Sequence, residues 1–599
     1  MIINALSKYY EILAEDGKSG IPLNGYSSAK VGYALNISLE GELLDVISLK
    51  VEGDKGKKLI SRTLTVPEQI DHGVKIFANF MCDNSTYVLG IDNKGKPIRS
   101  KDAFVNFKEL HNKVLKNAKD KAGKSILAFL ENWDISEARQ HPVLIDYLDD
   151  ILEGNNIVFI LDGERDFIHN DDEIKCLWEK YISDNEDDLL GKCLVTGNET
   201  LIARTHTFIK NVRGTKSNSA SIVSFNAQSY ESYGKIQSYN SPIGKNTVFA
   251  YTTVLNYMLS NHKQKVQIGD ATTVFWAESP EEIYTDLAAE LLNPCIDQDV
   301  EKSTGNRRDK KIEATIKEVL LNARLGNRIN KDLDKEINPL TKFYVLGLSP
   351  NASRISIRFF HSDNFGEFVE KIIQHYKDIE IIKDFDNRAD NIPIWMLLKE
   401  TISPKSTDKD AKPLLAGSIM RSILCGGMYS QSLYNSILQR VKTDGEIRVN
   451  YVRASIVKAF LIRKGRITKN KIFEEVSTVA LNEQTTEKAY LLGRLFAILE
   501  KTQNDAGNVT IRAKYFASAM TTPGAVFPIL LRLAQHHISK AEYGFLNDKK
   551  IESIIQNIDS FPSHLTLDQQ GIFILGYYHQ RSKLWEKQIK EIQNIKEEN

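Results

Sequence analysis

A chain of 599 residues, 42% hydrophobic and 26% charged, has a globular composition and length enough for several cores, which excludes a fibrous or disordered class. Met1 to Tyr10 lacks the basic flank and apolar run of a secretory signal. The longest apolar runs, such as Tyr490 to Leu499, are too short to span a bilayer, so a soluble, cytoplasmic protein with no membrane partner is expected. The formal net charge of zero is a sum over blocks of different sign. Glu131 to Asp188 holds 18 Asp/Glu against 4 Lys/Arg, Arg204 to Gly269 holds 8 Lys/Arg against Glu231 alone, and Arg440 to Lys471 holds 10 Lys/Arg against Asp444 and Glu446. Binding to a polyanion responds to local charge density, so a neutral chain can still carry a phosphate-binding face.

In chain order, Ile2 to Leu13 reads as an amphipathic helix, followed by β-rich runs at Val31 to Asn36, Leu43 to Val51 and Leu59 to Val66. Helical periodicity follows at Phe104 to Lys116, Ile126 to Trp133, Val143 to Leu152 and Ile174 to Tyr181, with a strand at Ile157 to Leu161. Asn79 to Gly90 reads as a strand entered through an Asx-turn. The middle alternates: strand Ser221 to Phe225, helix Val248 to Leu259, strand Thr272 to Trp276, helix Glu281 to Leu292. A hairpin of Phe343 to Leu348 with Arg354 to Phe360 and a helix at Phe365 to Tyr376 come next. Beyond about Ile392 only helical spacing remains, as in Leu414 to Leu424, Leu433 to Val441, Val449 to Ile462, Ala489 to Leu499, Val526 to His536 and Leu584 to Ile595, with Lys405 to Lys412 as a loop. The expected fold class is an α+β N-terminal region with mixed and antiparallel sheets, residues 1–400, followed by an all-α helical bundle, residues 401–599.

Chemistry-bearing motifs are sparse. Gly123-Lys124-Ser125 ends a P-loop-like run, but Ala118 stands where the first glycine belongs and a helix precedes it, so a turn between helices is the better reading. Asp162, Glu164, Asp166, Asp171, Asp172 and Glu173 are dense enough to raise metal-dependent nuclease chemistry, yet they lie in an acidic loop with no His-Glu-x-x-His or similar partner motif. His169 and His206 are isolated. The five cysteines, Cys82, Cys176, Cys193, Cys295 and Cys425, are never spaced as C-x-x-C, so neither a disulfide framework nor a zinc knuckle is expected. No catalytic residue, metal or cofactor is assigned. The stretch IKNVRGTKSNSASIVSFNAQSYESYGKIQSYN, Ile209 to Asn240, combines cations for phosphate, tyrosines for stacking and small amides able to meet base edges.

Ala5-Leu6, Tyr9-Tyr10, Asn79-Phe80, Asp83-Asn84, Tyr87 to Gly90, Cys193 to Gly197, Ile202-Ala203-Arg204, Ser224-Phe225-Asn226, Glu231 to Lys235, Ala250 to Thr253, Ile268 to Glu278, Gly347 to Asn351, Leu491 to Lys501, Leu530 to His537 and Gly576 to Arg581 run in an order that resembles the large subunit of the type I-C CRISPR Cascade over nearly the whole chain. The resemblance implies a non-catalytic component of an RNA-guided surveillance complex. It implies recognition of the protospacer-adjacent motif on duplex DNA from the minor groove, opening of the duplex for guide pairing, and recruitment of the helicase nuclease that cuts the target. The implied partners are crRNA, double-stranded target DNA and its displaced strand, the Cascade backbone and crRNA-processing subunits, and the helicase nuclease. It also implies that residues from about 480 to 599 are similar to a Cascade small subunit, which such genes also yield by internal translation; Met420, Met428 and Met520 lie poorly for such a start.

Residue chemistry and resemblance together nominate Asn84, Ser217, Asn218, Ser219, Gln237 and Asn240 for motif or fork readout, and Lys210, Arg213, Lys216 and Lys235 for phosphates. Arg448, Arg453, Lys458, Arg463, Lys464 and Arg466 form a second nominated nucleic-acid surface, with the helical period preventing all six from facing one groove. The competing readings are a metal-dependent nuclease and a purely structural scaffold of a ribonucleoprotein.

Overall fold

The structure is a computed structural model that describes residues 1–52, 59–70, 72, 75–183, 189–215, 219–294, 337–352, 354–385, 388–389, 391–407, 413–445, 448–507, 510–542 and 544–597. The chain divides into two compact units, one of Met1–Ile209 with Val223–Tyr257 and one of Lys210–Ile222 with Met258–Asn599. Mixed and antiparallel sheets dominate the N-terminal part and helices the C-terminal part, as the periodicities indicate.

In the first unit, helix α1 (Ile2–Asp16) precedes strands β1 (Tyr26–Ile37), β2 (Leu43–Ser48), β3 (Arg62–Pro67), β4 (Asp83–Asn84) and β5 (Asn156–Leu161), which form one mixed sheet. The long β1 pairs antiparallel with β3 through its first half, antiparallel with β2 through its second, and parallel with β5 along its other edge. A register shift lies between Val31 and Tyr33. A one-residue bulge reverses side-chain parity. Accordingly, Ala29 and Val31 join Ala34 in a small core on one side, whereas Tyr33, Leu35 and Ile37 enter the larger core on the other.

That larger core is closed by α2 (Ser85–Val88), α3 (Pro97–Leu115), α4 (Lys121–Asn132) and α5 (Asp172–Ser183). Asp120 caps α4, its carboxylate accepting from Gly123 N at 3.0 Å, and the buried Ser125 hydroxyl donates to Ala122 O, so the turn between helices is residues 116–120 and Gly123-Lys124-Ser125 lies in the start of α4. Two expectations give way here. Val143 to Leu152 is helical only over Leu148–Ile151, because successive short turns, Leu144 N to His141 O and Tyr147 N to Leu144 O, precede it. Asn79 to Gly90 contains only the two-residue β4 before the chain turns into α2, since Asn84 is a stronger helix cap than Thr86 and Val88 are strand formers.

Helix α6 (Lys245–Ser260) leads from the first unit into the second. There β6 (Lys265–Ile268), β7 (Ala271–Ala277), β8 (Lys342–Asn351) and β9 (Arg354–Asn364) form an antiparallel meander in that order. The strand expected at Ser221 to Phe225 shrinks to Ser219–Ala220 and a single bridge from Ser221 to Arg354, where β9 begins. Helices α7 (Ile283–Leu292) and α8 (Phe365–Ile379) cover the sheet. The larger remaining helices are α9 (Pro413–Leu424), α10 (Gln431–Thr443), α11 (Tyr451–Thr468), α12 (Lys488–Asp505), α13 (Ile511–Thr521), α14 (Pro523–Lys540), α15 (Gly544–Ile555) and α16 (Leu567–Glu597). Phe275, Val345 and Phe359 of the sheet and Leu495, Phe516 and Phe573 of the helices belong to one continuous core. None of the described helices is long and apolar enough to cross a membrane.

The tightest helix pair is α12 with α16. A Cβ at Gly493 would strike Phe573 O and Tyr577 N, and one at Gly576 would strike Tyr490 O, so both glycines allow backbone-to-backbone approach. Around them Phe516 and Tyr577 meet edge-on at 4.8 Å, the Tyr577 hydroxyl donates to Glu500 at 2.6 Å, and the Tyr490 hydroxyl bonds His579 Nδ1 at 2.8 Å. Gly493→Ala and Gly576→Ala should each cost about 1–3 kcal/mol, because backbone cannot yield as a side chain can. Gly427→Ala, in open space, should be neutral; thermal unfolding of the purified chain reads the difference.

Buried histidines add a pH dependence. Burial holds His579 down at about 3, His111, His169 and His206 down at about 4, and His375 well below its ordinary value. Each of these bases has its folded pKa depressed, so the unfolded chain takes up the protons first as pH falls. Stability is therefore full above about pH 6.5 and drains away between there and about 4. The melting temperature should fall across that window, and His579→Gln should make the fall shallower.

Candidate nucleic-acid interface

Within the first unit, the chain from Asn226 to Ile243 is a surface loop built on two short 3-10 turns, Gln228–Tyr230 and Gln237–Asn240. Its base is stitched to the segment before it: Leu194 N donates to Pro242 O at 2.9 Å and Ala203 N to Ile243 O at 2.9 Å. Cys193 anchors the same seam, its buried sulfur accepting from Val195 N at 3.4 Å and Gly244 N at 3.3 Å. Burial alone would raise the Cys193 thiol, but these amides together with Thr196 bring it down to about 7.

The tip of the loop is a four-residue turn, Ser232 to Lys235, closed by Lys235 N donating to Ser232 O at 3.0 Å. Tyr233 and Gly234 sit at φ +51° and +70°. Positive φ at both central positions marks a type I′ turn, which favours Asn or Gly. A tyrosine there costs on the order of 1–2 kcal/mol. The side chain of Asn240 offsets that strain: its Nδ2 donates to Lys235 O at 2.7 Å and Gln237 O at 2.9 Å, and its Oδ1 accepts from Ser232 N at 2.9 Å. Gln237, also at positive φ (+47°), is held by Arg204, whose Nε donates to Gln237 Oε1 at 2.6 Å while Arg204 O accepts from Ser238 N at 3.1 Å. Arg204 and Lys235 are exposed, and Tyr233 is 98% exposed.

The other nominated residues lie elsewhere. Lys210 and Arg213 belong to the second unit and are exposed; Arg213 N donates to Thr272 Oγ1 of β7 at 3.2 Å. Ser219 is in the two-residue strand Ser219–Ala220, and Lys216, Ser217 and Asn218 lie outside the described residues, as does Cys295. Asn84 caps α2, its Oδ1 accepting from Thr86 N at 3.0 Å. Beside it, Asp83 is fully buried; burial raises its pKa while His72 at 2.7 Å and the Asn79 and Asn84 amides act against that rise.

Sequence comparison decides the family. The profile described as CRISPR-associated protein (Cas_Csd1) matches residues 6–585. The chain belongs to the Cas_Csd1 family of type I-C Cascade large subunits. No curated protein matches it.

In this large subunit the second nominated surface requires correction. Arg448, Arg453, Lys458 and Arg463 are buried, so they present no cation to a strand in solvent. Helix α11 is enclosed on nearly every side, and its cations are spent inside the fold. Asp378 and Arg463, each with a side chain 1% exposed, pair at 2.8 Å; Arg463 also donates to Ser422 O and Gly427 O and lies over the Tyr429 ring. Lys458 donates to Lys377 O and Asp378 O at the end of α8, and burial pulls it down to about 8. Arg453 bridges Glu400 and Asp444, and Arg448 donates to Val441 O, Lys442 O and Ala513 O. Arg466 and Lys464 keep exposed surface while pairing with Asp378 and Asp568.

The acidic stretch is likewise occupied locally. Asp162 accepts from Asn36, Asp166 from Asn170 and Phe167 N, Asp171 from Glu173 N and Ile174 N, and Glu173 from Lys119 N and Asp120 N. Among the described residues no group of three or more His, Cys, Asp or Glu side chains is arranged to hold a metal ion. Arg204 was not among the residues nominated from sequence, although it ends one of the matching motifs; its partner Gln237 is 33 positions along the chain, and only the fold reveals the pair. Asp378→Ala should destabilise the second unit by about 3–5 kcal/mol by stranding Arg463, whereas Arg466→Ala, at a half-exposed partner, should cost under about 1 kcal/mol in denaturant titrations.

Proposed function

We propose that this large subunit reads the protospacer-adjacent motif on double-stranded DNA through the Arg204–Asn240 loop, helps open the duplex for crRNA pairing and recruits the helicase nuclease, acting without catalysis in the cytoplasm of a prokaryote. Family membership supports the Cascade setting, with crRNA, the backbone and crRNA-processing subunits, and target DNA as partners. The observation that carries the reading is the braced basic loop, in which an exposed arginine and lysine flank a fixed amide. Arg204 occupies the Gln237 carbonyl, so the Gln237 NH2 is the group left to donate. Adenine N3 and thymine O2 are the acceptors that A·T pairs offer in the minor groove. Asn240 serves as the brace. Lys235, Lys210, Arg213 and Lys216 are proposed for phosphates, and Asn84, Ser217, Asn218 and Ser219 for the motif or the adjacent fork. Residues from about 480 onward are proposed as small-subunit-like.

Binding of assembled crRNA complexes to targets with and without the motif tests this. Gln237→Ala and Asn240→Ala should erode discrimination between the two targets. Lys235→Ala with Lys210→Ala should weaken binding to both and flatten the salt dependence by about 0.9 log units per lost phosphate contact. Equal binding to both targets by the unaltered complex would instead identify a scaffold.

A further inference from the structure

The Tyr233 ring has no structural task. It belongs to none of the cores, stands 98% exposed, and occupies a left-handed backbone conformation that disfavours any residue with a Cβ. Strain of this kind persists only where surrounding bonds over-determine it, and here one side chain, Asn240, supplies three of them. The neighbours in the turn are Ser232 and Gly234, too small to cover either face of the ring. The next residue is the exposed Lys235, and Glu231 is the lone acid between Arg204 and Gly269.

A flat aromatic surface held out on a stiff turn, uncrowded on both faces and set among cations, matches the stacking elements by which proteins hold unpaired bases. Resting on the motif-reading role proposed above, we infer that Tyr233 stacks on a nucleobase of the opened DNA beside the motif and holds it out of the duplex. The cations then draw in the backbone on either side of that base. Asn240 and Arg204 are positioning residues for the ring and touch no base through this step.

The test is 2-aminopurine placed in turn at each position flanking the motif, in targets bound by assembled crRNA complexes. Unaltered complexes and Tyr233→Phe should quench the fluorescence at one position. Tyr233→Asn suits the left-handed turn but lacks the ring; it should lose that quenching and bind about ten-fold more weakly. Asn240→Ala keeps the ring on a loosened turn and should quench only partly. The inference is overturned if no position is quenched by the unaltered complex, if Tyr233→Asn quenches and binds as the unaltered complex does, or if Tyr233→Asn impairs only helicase-nuclease recruitment, which would make the ring a protein contact. Motif discrimination is measured on the same complexes: its absence sinks the motif-reading role, whereas its survival alongside ring-independent quenching sinks only the stacking.

Discussion

The second unit depends on a single buried carboxylate. Asp378, at the end of α8, meets Arg463 from the middle of α11 and Arg466 one turn later, and Arg463 goes on to satisfy carbonyls at the end of α9. Three helices that share no sequence neighbourhood are thereby fixed in register around one charge. Such a pair is a poor source of net stability, because desolvating both ions offsets most of their attraction. What it adds is direction: from one position Arg463 meets Asp378, Ser422 O and Gly427 O together, a demand that apolar packing does not make.

That interaction also explains where the sequence was readable. The sheets and helices follow the periodicities closely, since Val, Ile and Phe in alternation and apolar residues at helical spacing report local geometry. The Arg440 to Lys471 block misled because charge normally marks a surface. Helix α11 is buried around almost its whole circumference and so has no polar face to betray it, and the acid that neutralises Arg463 is 85 positions upstream in the chain. Pairing across that separation leaves no mark on local composition.

The candidate site divides along the same line. Tyr233, Lys235, Gln237 and Asn240 were visible as a basic, aromatic, amide-rich stretch, and Ser232-Tyr233-Gly234-Lys235 carries a turn signal in its glycine. Their roles were not. Asn240 looked like a reader of bases and is instead the brace of the turn, a fact that needs backbone atoms on both sides of the loop. Asn84 likewise commits its Oδ1 to capping α2. Amide side chains are ambiguous in sequence because the groups that would read a base also satisfy a backbone.

The path of the chain between the two units sets an order of events during synthesis. Residues 210–222 are made well before most of the unit they belong to, and the amide that Ser221 O accepts, Ile355 N, is added long afterwards. On the ribosome the first unit can close once Tyr257 has emerged, while this short segment has to wait, tethered at both ends. For the same reason a product beginning at Met258 lacks residues 210–222 of the second unit, and any uninterrupted stretch that includes them with the rest of that unit also carries residues 223–257 of the first.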